Sequence, residues 1–484
     1  MLFKEYNQQQ IFLLPPALED FVGEDHLARV INEVVNSLDL GELYARYSEL
    51  GGAAYHPQLL LKVLFYGYAT GERSLRKLAH RVRSDVAYMY LAGMQCPDFR
   101  TINRFRKGQL EVLQGLFVQM VRLGQALGMV RVGLIALDGT KVKANASLRQ
   151  SLRKEDIDQG LAAVEEKIHQ ILTEAAVTDA REDAEEGAEQ SGYEVPEGLR
   201  DAQSRKERLV QARARLLASG RKQLNLTDSE ATLMRHYQNQ WQPSYNGQIA
   251  VDAQQGIMVA ATVSTSSAGQ DAVPVLVTQT TTITGMPPAE VVADAGFASA
   301  DNYLRLAEQQ ITGYIPDPKG LSVQRGTTQH PEFEKSQFPY QEASDTYRCP
   351  QGKRLVYHNT QRTKAGIPIR IYQGQECPGG ARRQECTTAR YRRLSRDPRE
   401  AVVQQMRARL DSATGKHRLQ LRQQLVEPIF GHWKHHWKFR EFLLRGKAKV
   451  TGEFLLMGIA YNLKKMARWV PRVGRGSLRK LHPA

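Results

Sequence analysis

The stretch Val132–Ala144 reads VGLIALDGTKVKA, an apolar run that ends abruptly in an acid. Val132–Leu137 is apolar apart from Gly133, as in a central strand covered on both faces. Asp138 is expected where that strand emerges, followed by Gly139, Thr140, Lys141 and Lys143. A carboxylate on the end of a rigid buried strand has little freedom and can hold a metal in a fixed position. The same residues also describe a buried strand with a capping Asp. Two further acids later in the chain favour the first reading.

The pattern recurs at Glu290–Asp294, EVVAD, a second buried strand ending in an acid, followed by AGFASADN and a helix through Gln310. Between the two acids, Gly247–Asp252 and Ile257–Ser264 flank a tight QQG turn, a hairpin signal. Asp271–Thr284 predicts a helix, and Tyr314–Pro316 one more short strand. Strand–acid, hairpin, helix, strand–acid, helix gives a mixed sheet with helices on its faces. Both acids would then stand at the carboxyl ends of strands, where such sheets place their sites. The third acid, Glu427 in VEPIFGHWK (426–434), stands alone among Arg418, Arg422, Lys434, Lys438 and Arg440.

Working outward, residues 1–130 predict a helical domain. Asp25–Leu38, Gln58–Tyr68, Leu75–Val82 capped by Ser74, and Asp85–Leu91 carry helical patterns, and Thr101 opens one long helix, Ile102–Leu127. Its Arg-rich helix ends suit either a DNA-reading array or a small bundle with a solvated face. Residues 148–223 predict a charged helical hairpin inserted into the sheet domain. Thr178–Glu197, with eight acids and one Arg, is expected as a loop joining its helices. The sheet domain comprises 131–147 and 224–316. Residues 317–398 predict a β-rich insertion with Cys349, Cys377 and Cys386. Those three thiols include no C-x-x-C pair, and even with His358 as a fourth ligand structural zinc is not expected. Residues 399–470 return to the sheet domain and end in a helix along Phe454, Leu455, Ile459, Leu463 and Met466; 471–484 is a basic tail.

At 484 residues and 42% hydrophobic content, two or three domains with a real core are expected. MLFKEYNQQQ lacks the pattern of a signal peptide, no apolar run is long enough for a membrane span, and four cysteines exclude a disulfide scaffold. A cytoplasmic protein is expected. The net charge is +15. From Arg399 onward there are 19 Lys/Arg and 5 Asp/Glu, a net of +14, while the preceding 398 residues hold 47 and 46. So lopsided a distribution is the footprint of a polyanion-binding face, most simply nucleic acid.

Three acids, two on strand ends and one on a helix, offer hard oxygen ligands suited to Mg²⁺ or Mn²⁺. Two such ions roughly 3.5–4 Å apart activate a nucleophile and stabilise a leaving oxygen in phosphoryl transfer. No Ser–His–Asp triad, P-loop or dinucleotide fingerprint is present. Taken with PDFRTINRFR (97–106), IALDGTKVKANAS (135–147), NLTDSEATLM (225–234), YNGQIAVD (245–252), VVADAGFAS (291–299), VEPIFGHWK (426–434), FREFLLRGKAKV (439–450) and AYNLKKM (460–466), the chain resembles the DDE transposases of bacterial insertion sequences. The resemblance spans about residues 1–465.

It implies an RNase H-like catalytic domain with Asp138, Asp294 and Glu427 as catalytic, metal-holding acids. It implies two Mg²⁺ or Mn²⁺ ions, terminal inverted repeats and target DNA as substrates, a homodimer on DNA, and a nucleoid-associated location. Lys141, Arg422, Lys434, Arg440 and Arg445 would contact DNA, and Trp433 or Trp437 would either stack on a flipped base or pack in the core. The family's C-terminal signature places Lys seven positions after the Glu, which Lys434 satisfies. Its Tyr and Arg positions hold Gln420 and Gln423, with Arg422 adjacent, and Gly380 stands where relatives carry another Cys. A decayed, DNA-binding transposase and a stand-alone metal-dependent nuclease remain the alternatives.

Overall fold

The computed structural model describes residues 17–47, 54–186, 198–236, 239–317, 330–362 and 366–473. The first part is helical: α1 Leu27–Ser37, α2 Gly41–Tyr44, α3 Pro57–Ala69, α4 Leu75–Ser84, α5 Val86–Ala92, α6 Phe99–Gly108 and α7 Leu110–Ala126. Side chains set the starts. Ser74, Asp85 and Asp98 accept backbone N–H groups of the first turns of α4, α5 and α6, meeting donors that a helix start leaves unpaired. The long helix expected over Ile102–Leu127 is two helices. Asp98 starts the first at Phe99, and the chain breaks at Gly108–Gln109 before α7 begins.

A mixed sheet follows, in the order β4–β5–β1–β7–β8 with β6 on β5. Its strands are β1 Leu134–Lys143, β4 Thr232–Arg235, β5 Trp241–Asp252, β6 Met258–Ser264, β7 Glu290–Val292 and β8 Thr312–Tyr314. β7 and β8 run parallel to β1, whereas β5 is antiparallel to it. Helices α10 Ala272–Thr284 and α11 Ala300–Glu308 fill the connections. Val132, before β1, sits at φ +57, strained for a β-branched residue. The buried Asp252 carboxylate holds it there by accepting its N–H at 2.8 Å. Gly247 on β5 is needed for packing, because a Cβ there would enter the Phe454 ring.

The charged segment is a helix pair, α8 Lys154–Glu186 and α9 Leu199–Ser219, rooted on the ribbon β2 Ser151–Arg153 and β3 Gln223–Asn225. Its own small core is built on Ile157, Val164, Leu209 and Leu216. The expected loop Thr178–Glu197 is helical as far as Glu186; 187–197 lie outside the described residues, as do 474–484 of the tail. A second sheet follows: β9 Tyr340–Gln341, β10 Thr346–Arg348, β11 Arg354–Arg362, β12 Pro368–Gly374 and β13 Arg393–Arg396, with a one-turn helix α12 Arg383–Cys386 before β13. Helices α13 Glu400–Asp411, α14 Ala413–His435 and α15 Lys447–Val473 complete the chain. Among the described residues no helix is long and apolar enough to cross a membrane.

α15 joins the parts. It packs on α3, α7 and β6, so the N-terminal helices and the sheet share one apolar core. The buried Glu453 of α15 pairs with Arg73, from the turn after α3, at 2.8 Å. It also accepts the N–H groups of Leu443 and Leu444 at 2.9 and 3.0 Å. Removing one partner of a buried pair strands the other charge without solvent. Glu453→Ala should therefore destabilise the fold by about 3–5 kcal/mol in urea denaturation, and a loss below about 1 kcal/mol would show that the pair is dispensable.

Candidate active site

Asp138 lies in the middle of β1, not at its end. β7 pairs with β1 only at Leu134–Ala136, but pairing with β5 continues to Lys143, so the strand runs on past the acid. Beyond β7, one side of β1 is open and the Asp138 carboxylate meets α14 there. Alternation along the strand buries Asp138, Thr140 and Val142 and turns Gly139, Lys141 and Lys143 to the other face. Asp294 follows β7 by two residues and caps the turn Ala295–Phe297, its Oδ1 accepting from Gly296 N–H at 2.9 Å. Glu427 is exposed on α14, which continues through Pro428.

Two of the acids share Arg422, and the third, Asp294, acts on Asp138 through its charge. Its Nη1 lies 3.3 Å from Asp138 Oδ2 and its Nη2 3.3 Å from Glu427 Oε1. One turn earlier, Arg418 reaches Glu290 at the start of β7, at 2.7 Å. Two arginines a helical turn apart thus pin α14 to neighbouring parallel strands. Asp138 is 9% exposed, and burial pushes its carboxyl up to about 6. The Arg422 charge and the Gly139 N–H (2.7 Å) pull it down, while Asp294 and Glu427 push it up. The guanidinium therefore leaves the site short of positive charge. Arg422 Nη1 is itself buried and lacks a well-formed hydrogen bond. An all-carboxylate donor set with uncompensated negative charge fits a hard divalent cation.

The other candidate residues separate into groups. Arg422 is 10% exposed in its side chain and faces the carboxylates rather than solvent, which corrects its reading as a surface DNA contact. Burial lowers the Lys434 amine while the Asp138 charge raises it, so this lysine stands beside the acids. Lys141 is on the opposite strand face from Asp138 and donates to the Arg235 carbonyl at 3.0 Å. Arg440 and Arg445 are exposed; Arg440 Nε donates to the Lys434 carbonyl and Arg445 grips Asn145. Trp433 and Trp437 are 0% and 3% exposed, stacked on each other amid Phe430, Phe439 and Phe454. Neither can reach a flipped base without leaving the core, so packing is their role.

Sequence reading missed His236, whose Nε2 meets Ser244 Oγ at 2.7 Å. Burial, then the charges of Lys143, Lys141 and Lys434, lower its imidazole, so four basic groups share this neighbourhood. No local pattern marks it. On the second sheet, Cys349, Cys377 and Cys386 are free thiols. Nearby, donor atoms of His330, Glu332 and Glu385 lie within 4.8 Å of one another, and Arg382 pairs with both glutamates.

The mixed sheet thus carries one acid on its central strand and a second after the neighbouring parallel strand, with a third on the helix held to both strands. Two families match the chain, Transposase DDE domain over residues 348–467 and Transposase domain (DUF772) over residues 16–108. These two matches, each over about a quarter of the chain or less, support a DDE-class insertion-sequence transposase. No curated protein matches it.

Because burial raises the Asp138 carboxyl, the folded protein favours its neutral form. That stabilisation is full below the unfolded value near 4 and is lost as pH rises through about 6. In metal-free buffer, Asp138→Asn should gain stability relative to wild type between pH about 4 and about 7, by on the order of 2–3 kcal/mol in urea denaturation. A pH-independent difference would place the Asp138 carboxyl at its ordinary value.

Proposed function

We propose that the chain is an active transposase that binds the terminal inverted repeats of its own element as a homodimer, cleaves a phosphodiester at each end and joins the released end to target DNA. The observation that carries this reading is the contact of Arg422 with both Asp138 and Glu427, with Asp294 close enough to raise the Asp138 carboxyl. The strand order, with β5 antiparallel to its neighbours β1 and β6 and with β7 and β8 parallel to β1, supports an RNase H-like core. Residues 399–470 complete that core, 1–130 are assigned as an N-terminal helical domain packed on it, and 148–223 and 317–398 as its two insertions.

Asp138, Asp294 and Glu427 would hold Mg²⁺ or Mn²⁺. Bound there, a pair of divalent ions supplies an activated nucleophile and stabilises the leaving oxygen. The chain does the rest. β1 and the turn after β7 fix two carboxylates on rigid backbone, and α14 brings the third. Arg422 spreads its charge over two of the acids and keeps them together between turnovers. Lys434, beside Asp138, meets the negative charge that builds on the phosphate in the transition state. Lys141, Arg440 and Arg445 hold flanking phosphates and set the register of the duplex. Such a protein works at the nucleoid.

The test is cleavage of a labelled duplex ending in the element's inverted repeat, with Mg²⁺ or with EDTA. Wild type should cut at the repeat end only with metal. Asp138→Asn, Asp294→Asn and Glu427→Gln should each lose at least about 10²-fold in rate and keep DNA affinity within a few fold. An acid whose replacement leaves cutting intact is not part of the site. Repeat binding without cutting in any metal would establish a decayed, DNA-binding protein instead.

A further inference from the structure

The near-balance of charge before Arg399 hides two opposite concentrations. Lys154–Glu197 carries 3 Lys/Arg and 14 Asp/Glu, whereas Arg348–Arg396 carries 12 Lys/Arg and 2 Asp/Glu, a net of +10 in 49 residues. The basic concentration is the second sheet.

That sheet closes its own core over Phe333, Phe338, Tyr347, Leu355, Tyr372 and Leu394. Past this core, β11 and β12 run on together, backed by β13 as far as Arg370, and end as a two-stranded ribbon at Gln361–Arg362 opposite Pro368–Ile369. Every residue from Tyr357 to Arg362 on β11 is exposed, and pairing persists to Arg362 opposite Pro368. The ribbon gains little stability from burial, since two strands alone are marginal in water. Arg370 anchors it, its guanidinium over the rings of Tyr357 and Tyr372 at 5.0 and 5.4 Å and paired with Asp345.

Other cations on the sheet are not neutralised. Arg354, Arg362 and Arg393 are exposed, and among the described residues no acid pairs with them. Arg362 donates to the Gly366 carbonyl at 3.0 Å and Arg393 to Gln373 Oε1 at 2.7 Å, both neutral acceptors. A two-stranded ribbon is narrow enough to enter a DNA major groove, and spaced guanidinium groups neutralise backbone phosphates.

The sheet is also tied to the elements that carry the acids. β8 is parallel to β7, so the chain departs for the second sheet from the same edge at which Asp294 follows β7. It is tied back through Glu400 at the start of α13, which meets Lys335 at 2.7 Å and Tyr347 Oη at 3.4 Å. α13 leads directly into α14 and Glu427.

We propose that the β11–β12 ribbon and its arginine base are a second DNA-contacting surface, which seats the backbone of a duplex next to the three acids. The inference rests on the DNA-cutting reading above. It adds a binding face separate from the basic C-terminal segment.

The experiment titrates a fluorescent duplex of arbitrary sequence with the full chain across a salt series. The ribbon variant is R354Q/R362Q/R393Q. The control, R200Q/R205Q/R208Q, removes the same charge from exposed positions on α9. The ribbon variant should lose about tenfold or more in affinity and flatten the log K against log salt slope by about 2 to 3, with the control unchanged. Wild-type affinity and slope in the ribbon variant would overturn the proposal, as would equal losses in both variants, which would mean net charge alone is felt. If the triple variant does not fold, R362Q alone should flatten the slope by about one, and no change would overturn the proposal. A wild type that binds through the ribbon yet cuts no DNA would sink the cleavage reading and leave the ribbon standing.

Discussion

The structure depends on a carboxylate placed where a carboxylate is costly. Asp138 lies inside a sheet strand, nearly without solvent, and its ionised form is disfavoured until a positive group reaches it. Arg422 offsets part of that cost, and it brings α14 and Glu427 with it. A buried ion pair of this kind contributes little net stability, because desolvation cancels most of the attraction. Its effect is on geometry. It fixes which turn of α14 meets β1, and Arg418–Glu290 repeats the same constraint one turn away. Sheet, helix and acids are thereby held in one arrangement.

The remaining packing keeps that arrangement rigid. Trp433 sits one turn and a half beyond Glu427 and fills the space between α14 and α15 with Phe430, Phe439 and Phe454. The opposite end of the segment is tied down by Lys143, whose backbone bonds Arg440 and Phe442, and by Arg73–Glu453. Asp228 adds a further tie, accepting from the buried Tyr245 hydroxyl at 2.7 Å and from Gly446 N–H at 3.2 Å at the start of α15. Residues far from the acids thus converge on the loop that carries Arg440 and Arg445.

Much of this was legible from the chain. Alternation and apolar runs gave the hairpin, the two acid-bearing strands and the mixed sheet, because those signals are local. Ser74 and Asp85 gave the starts of α4 and α5. The position of Asp138 within β1 was misread although the signal was there: Asp138, Thr140 and Val142 alternate with Gly139, Lys141 and Lys143, which is a strand continuing rather than ending. Gly108 likewise marked the break in the expected long helix. Phe430 and Trp433 lie one turn apart on the buried side of α14, and Trp437, just past the helix end, stacks on Trp433 in the same core. What no local pattern could supply is the partner of Arg422. Its nearest sequence neighbours are leucines and glutamines, and only the tertiary fold sets it against a strand from the first third of the chain. The same holds for His236, and for the charge of the second sheet, which the acids of Lys154–Glu197 cancel in any overall count.

The central claim is that Asp138, Asp294 and Glu427 form one cation site despite the guanidinium between two of them. Its most direct test needs no DNA: Mn²⁺ binding followed by electron paramagnetic resonance at neutral pH, for wild type and Asp138→Asn. The account predicts saturable binding by wild type that is weakened at least about tenfold in the variant. Undiminished Mn²⁺ binding by Asp138→Asn would contradict it and move the metal, and with it the chemistry, elsewhere in the chain.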